Sequence, residues 1–339
     1  MINSYVGGVI YDVMAHHAMP GNRAEVLRDT YIPRWKAGKL DAAVVQISNW
    51  RAAGMYFAEI ARSEGEITYC TTRADFDNRP EGSFGLFLSL EGHGELAGDL
   101  EALYTLDELG VTTFTFSHNL QNLLCTGSNE RFGEGGFSHL GKQTLKELEH
   151  TSLMVDLVHM SRASFWDALD LYDGDLFVSH SNADALCPHP RNLTDDQIKA
   201  VAERNGVIGL NTFRGYVSPD PMKATLSDLL DHAIHLYDLV GPEHMSIGAD
   251  YCESPVEMLV PILDMVDPEG AHGIKGRARE LYEFGPDGIE DAGHLGALAD
   301  GLAKRGLTPD EIDLICGESY LRMLDRARPA KAQPAVRHG

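Results

Sequence analysis

Short runs rich in β-branched and aromatic residues recur along the chain, and most are separated by longer stretches in which apolar residues return every three or four positions. The runs are Tyr5–Asp12, Ala42–Ser48, Gly85–Gly92, Thr112–Asn119, Met154–Ser161, Leu176–Ser181, Val207–Phe213 and Met245–Tyr251. Continuous apolar runs of this length, alternating with helical periodicity, are the pattern of βα units around a parallel sheet. Eight of them predict a (β/α)8 TIM barrel.

The intervening segments carry helix punctuation. Over 193–205, LTDDQIKAVAERN, Thr194 and Gln197 form a capping box and Gly206 closes the helix. Over 226–239, Leu229, Leu230, Ala233, Ile234 and Leu236 fall on roughly one face, which predicts a helix on the outside of the barrel. Gln121–Phe137 is a Gly- and Asn-rich loop after the fourth run, Cys252–Gly293 is irregular, and a C-terminal helical segment follows. No linker divides the chain, so residues 1–326 are expected to form one barrel domain and 327–339, ARPAKAQPAVRHG, a disordered tail.

In a parallel barrel all strands end at the same mouth, so polar residues at their C-terminal ends converge however far apart they lie in sequence. The third run ends with Glu91 and His93, the fourth with His118 and Asn119, the fifth with His159, the sixth with His180 and the eighth with Asp250. A histidine closing one apolar strand is ordinarily a satisfied core or loop residue. Two imidazoles and a carboxylate delivered to one rim are the donor set of a catalytic zinc site, so His159, His180 and Glu91 are expected to be metal ligands.

Composition narrows the partners. A 339-residue chain that is 43% apolar buries a large core, and its net charge of −23 disfavours nucleic acid and anionic membranes as partners. Five scattered cysteines without a CxxC pair predict reduced thiols and a cytoplasmic location. The N-terminal residues lack a signal-peptide pattern, and no run approaches the ~20 apolar residues of a membrane span. A small-molecule or dipeptide substrate is expected, and self-association is left open.

The motifs SLEGH, TFSHN, MVDLVHMS, SHSNADALCPHPRNLTDDQI and IGADY, in this order, resemble the membrane dipeptidase (renal dipeptidase) family, the M19 metallopeptidases of the amidohydrolase superfamily. The resemblance runs from about Asp12 to Leu324 and includes Gly306–Met323 as the family's C-terminal segment. It implies a metal-dependent hydrolase that cleaves a dipeptide, or a related small amide with a free carboxylate, by metal-bound hydroxide. Glu91 would bridge two zinc ions, His159 and His180 would ligate the second, and Asp250 would ligate the first and handle the proton. His118 would polarise the scissile carbonyl and bind the oxyanion, and Arg191 would hold the substrate carboxylate.

One motif departs from the family. Its first strand ends in His-x-Asp, whereas this chain reads YDVMAHHAMPG. Aligned on Asp12, Met14 replaces the histidine and His16 the aspartate; His16 is the expected ligand, with His17 as a substitute after a one-residue shift. Met14 is a poor ligand for a hard, water-activating zinc. One firmly bound zinc ion, at the second site, is therefore expected, with the first site in doubt. Two other readings stay open: another amide, ester or carbon–carbon bond reaction on the same scaffold, and a non-catalytic protein whose metal site has decayed.

Four further features have plain readings. His93 is a loop residue or a support for the metal site. Asp156, inside an apolar run, is a buried hydrogen-bonded carboxylate. His232 and His235 are a solvated helix face. Cys187 and Cys252 lack an orienting base and are not nucleophiles.

Overall fold

The computed structural model describes residues 1–6, 25–91, 98–130, 135–251 and 285–329. Its strands are β1 (Ile2–Val6), β2 (Ala42–Ile47), β3 (Ile67–Tyr69), β4 (Phe84–Leu90), β5 (Val111–Thr115), β6 (Met154–Asp156), β7 (Leu176–Ser181), β8 (Val207–Leu210) and β9 (Met245–Ile247). All pairings between them are parallel, and β1 joins β9 while β2 joins β4, which closes an eight-stranded (β/α)8 barrel. The short β3 hangs on the first residues of β4 and stands outside the closure. Three residues, ITY, are too few for a period-two pattern to register in sequence.

All eight expected strands are present, with one shift and one general shortening. β1 starts at Ile2 rather than Tyr5, so Tyr5 belongs to its last described turn of pleat and not to its beginning. Residues 7–24, including Asp12, Met14, His16 and His17, lie outside the described residues. The ladders of β5, β6, β8 and β9 stop several residues before the apolar runs do. Asn119, His159 and Asp250 have φ of 63°, 64° and 54°, a left-handed conformation no ladder accommodates. The apolar runs thus continue into mouth loops that are buried but not strand.

Helices cover the outside of the barrel. Thr194 and Gln197 form the expected capping box of the helix Asp195–Glu203. The helix Leu226–Val240 buries Leu229, Leu230, Ala233 and Leu236, starts at a Thr225–Asp228 box and ends at Gly241 with φ 81°. His232 on that helix is fully buried rather than solvated: its Nδ1 accepts from the Ala183 amide (3.2 Å) and its Nε2 donates to the Val217 carbonyl (3.0 Å). A loop amide and the last carbonyl of the short helix Arg214–Val217 thereby find a partner. His235 pairs with Asp195 at 2.8 Å and faces the outside as expected.

The last helix, Ser319–Ala327, lies across the floor of the barrel. Tyr320, Leu321, Met323 and Leu324 pack there against Ile2, Val44, Phe87, Met154 and Phe177 from the strand beginnings. Tyr320 meets Phe87 edge-on at 6.0 Å. Ala327 and Arg328, assigned above to a tail, are fixed: the helix runs through Ala327, and Arg328 donates to the Asp107 carboxylate (2.7 Å) and to the Thr71 and Val111 carbonyls. No helix among the described residues is long and apolar enough to cross a membrane.

The register of β7 against β8 shifts between Val178 and Ser181. There the Ser179 amide leaves the ladder and donates to the Asp156 carboxylate at 3.0 Å, and the Ser179 carbonyl presses against Gly209 and Gly248. A Cβ at either glycine would collide with that oxygen. Gly209→Ala or Gly248→Ala is expected to destabilise the fold by about 1–3 kcal/mol through overpacking. Gly54→Ala, in open space on the helix Trp50–Arg62, should be stabilising by up to about 1 kcal/mol. Urea unfolding of the three variants checks the contrast.

Candidate active site

Glu91, His118, His159, His180, Arg191 and Asp250 meet at the C-terminal mouth. Glu91 follows β4, its amide bonded to the Ile47 carbonyl at the end of β2 (3.0 Å). Its Oε1 lies 2.9 Å from His159 Nε2 and 3.9 Å from His180 Nε2, and the two imidazole nitrogens are 3.2 Å apart. His180 Nε2 is also 3.8 Å from Asp250 Oδ2. A donor atom of the exposed His118 joins those of Glu91 and His159 within 4.8 Å.

The histidines are turned this way by their other nitrogens. His159 Nδ1 donates to Asn119 Oδ1 at 2.9 Å, and Ser179 Oγ holds His180 Nδ1 at 2.8 Å. Each ring therefore presents Nε2 to the centre. Burial, and next the Arg191 charge, hold the pKa of both rings well below the usual histidine value, so both are neutral. Lone pairs of neutral imidazoles and a carboxylate oxygen within 4 Å of one another repel unless a cation lies among them. Two nitrogens and a carboxylate oxygen at these separations match the donor set of zinc.

His159 is pinned in its left-handed conformation by its own carbonyl, which accepts from the Ser128 amide (2.7 Å) and Ser117 Oγ (3.1 Å). Ser128 belongs to the long loop after β5, whose described part is stitched to the mouth at Gly127–Met160 and Asn129–Asn119. That loop shapes the site by holding His159. Strained backbone at Asn119, His159 and Asp250 gathers at one place, as it does at functional sites.

Asp250 lies opposite Glu91. Burial first, and then the Glu91 charge, push its pKa up to about 7, against the pull of Arg191 and a hydrogen bond from Asn211 Nδ2 (3.2 Å). Its amide donates to the Tyr5 carbonyl at 3.2 Å. Arg191 is 4% exposed; its Nη2 lies 3.3 Å from His159 Nε2, its guanidinium stands 5.3 Å from the Tyr216 ring, and its buried Nε has no hydrogen-bond partner among the described residues. A buried cation with an unused donor beside the centre is suited to an anionic group of a ligand.

The sequence reading did not single out Tyr5, Gln46, Ser179 or Asn211. Tyr5 stacks on His180 with ring centroids 3.9 Å apart, and its hydroxyl donates to Gln46 Oε1 at 2.7 Å. Burial, and then Glu91 and Asp250, push its pKa far up, so the phenol stays protonated. Asn211, like the chosen residues, is a polar side chain ending an apolar run, and that signal was available. His16, His93 and Cys252 lie outside the described residues. Cys187 is a buried free thiol, with its pKa raised by burial to about 11, and is no nucleophile.

A (β/α)8 barrel with imidazoles and carboxylates gathered at its mouth is the architecture of amidohydrolase-type proteins. The family description "Membrane dipeptidase (Peptidase family M19)" matches residues 23–261, and the chain belongs to that family. An uncharacterized dipeptidase of Schizosaccharomyces pombe is 29% identical over 238 residues, 70% of this chain and 51% of the relative. A dipeptidase of Aspergillus oryzae is 25% identical over 307 residues, 90% of this chain and 62% of the relative. The chain thus spans about half the length of the first and under two thirds of the second. A metallopeptidase from Rhodobacter sphaeroides, liganded with a phosphinate mimic of the dipeptide L-Ala-D-Ala, superposes with a TM-score of 0.76 at 21% identity, covering 96% of this chain and 98% of that one. An amidohydrolase from Pseudomonas aeruginosa gives 0.75 at 22% identity over 87% and 91% of the two chains. These superpositions establish the fold.

Asp156 is the buried, hydrogen-bonded carboxylate that the sequence suggested: its Oδ1 accepts from the Val158 and Ser179 amides at 3.1 and 3.0 Å. Burial raises its pKa from 3.8 to about 6 against those bonds. A folded-state pKa above the unfolded one means that stability is lost as pH rises from about 4 through about 6. Asp156→Asn keeps an acceptor and does not titrate. Relative to wild type, the variant should therefore gain on the order of 2 kcal/mol between pH 4 and pH 7 in urea unfolding. A difference independent of pH would contradict this.

Proposed function

We propose that this protein is a metallodipeptidase that hydrolyses a dipeptide, or a related small amide with a free carboxylate. The observation that carries the reading is the convergence of His159 Nε2, His180 Nε2 and Glu91 Oε1 beside Arg191, a buried cation with an unused donor. Glu91, His159 and His180 would hold one zinc ion, with Asp250 beside them. Bound there, the ion supplies Lewis-acid chemistry and lowers the pKa of water. A solved relative that binds a phosphinate dipeptide mimic supports the substrate class.

The side chains divide the remaining work. Arg191 binds the substrate's terminal carboxylate with its planar fork of donors, and that contact sets the scissile carbonyl toward Glu91 and Asp250. Asp250 takes a proton from the attacking water and passes it to the departing amine. Its pKa of about 7 falls when a cation is bound nearby, so carboxylate is the form that receives the proton. His118, exposed at the rim and 4.5 Å from the His159 ring, donates to the oxygen that becomes an oxyanion as water adds. Residues 1–326 act as a single domain in this reading, which the last helix, packed across the barrel floor, supports.

The test is a dipeptide panel offered to the zinc-loaded protein. Turnover of dipeptides but not of non-peptide amides and esters favours this reading over another reaction of the superfamily, and a protein that purifies nearly metal-free would have a decayed site. Arg191→Lys is expected to raise KM for a free dipeptide about tenfold more than for its C-terminal amide, because only the former offers two oxygens to the fork. Equal losses on both substrates would remove Arg191 from this role.

A further inference from the structure

The family match begins at residue 23, so β1 lies outside it, and the residue β1 brings to the centre is a tyrosine. Tyr5 is 2% exposed and lies ring to ring on His180, at 3.9 Å and an interplanar angle of 27°. Its hydroxyl donates to Gln46, whose own carbonyl is held by the Tyr56 hydroxyl (3.3 Å).

We infer that Tyr5 is a positioning residue of the metal centre: its ring, anchored through its hydroxyl on Gln46, lies against the His180 imidazole and fixes its tilt. The inference rests on the assignment of Glu91, His159 and His180 as ligands. A ligand imidazole held on one edge only, by Ser179 at Nδ1, remains free to tilt about that bond, and a ring stacked on its face removes the tilt.

The experiment is a Co2+ titration of the metal-free protein, followed by the visible ligand-field bands and by elemental analysis, on wild type, Tyr5→Phe, Tyr5→Ala and His180→Ala. Tyr5→Phe, which keeps the ring, should match wild type in affinity and bands. Tyr5→Ala should bind about tenfold or more weakly with altered bands; should it not fold, Tyr5→Leu, which keeps apolar bulk without the aromatic stack, replaces it with the same expectation. A folded Tyr5→Ala or Tyr5→Leu with wild-type affinity and spectrum would overturn the inference and leave the ligand assignment intact. Co2+ binding by His180→Ala equal to wild type would overturn the ligand assignment itself.

Discussion

The mouth of this barrel holds hydrogen-bond acceptors against one another. His159 and His180 are buried neutral, their Nδ1 atoms are engaged, and the Nε2 lone pairs stand 3.2 Å apart with a glutamate oxygen 2.9 Å from one of them. Brought together without a cation, such groups repel, and each has also lost its water. A fold that assembles them must supply the force from elsewhere, and several unusual features of the chain are understood as that supply.

β7 carries much of it. Its irregularity at Ser179 lets one residue give its amide to Asp156, its hydroxyl to His180 and its carbonyl to the space left by two glycines. A buried carboxylate in β6 and side-chain-free positions in β8 and beside β9 are costly in isolation. Together they set a single imidazole. On the other side, left-handed backbone at Asn119 and His159, secured by Ser117 and Ser128, performs the same task for the second ring. Strain of about 1–3 kcal/mol per left-handed non-glycine residue persists because these contacts over-determine the backbone.

The first strand adds to this arrangement. Tyr5 meets His180 with an aromatic face and Gln46 with its hydroxyl, so β1 contributes packing and a hydrogen bond beside the mouth. The chain belongs to the membrane dipeptidase family over residues 23–261, and β1 lies outside that span.

Much of the architecture was legible in the order of residues. Alternating apolar runs specified eight strands, Thr194 with Gln197 specified a helix start, and histidines and acids at the ends of apolar runs pointed to Glu91, His118, His159, His180 and Asp250, because parallel strands share one mouth. The tertiary structure decided what depends on contacts between distant segments. It buried His232, whose three-residue spacing from His235 resembles a solvated face, because the Ala183 amide and the Val217 carbonyl take its nitrogens as partners. It added β3, too short for periodicity to reveal, and tied Arg328 to Asp107. It started β1 at Ile2, which placed Tyr5 rather than a later residue against His180: strand register is fixed by pairing with β2 and β9, and a run of apolar residues longer than the strand cannot state where the pairing begins.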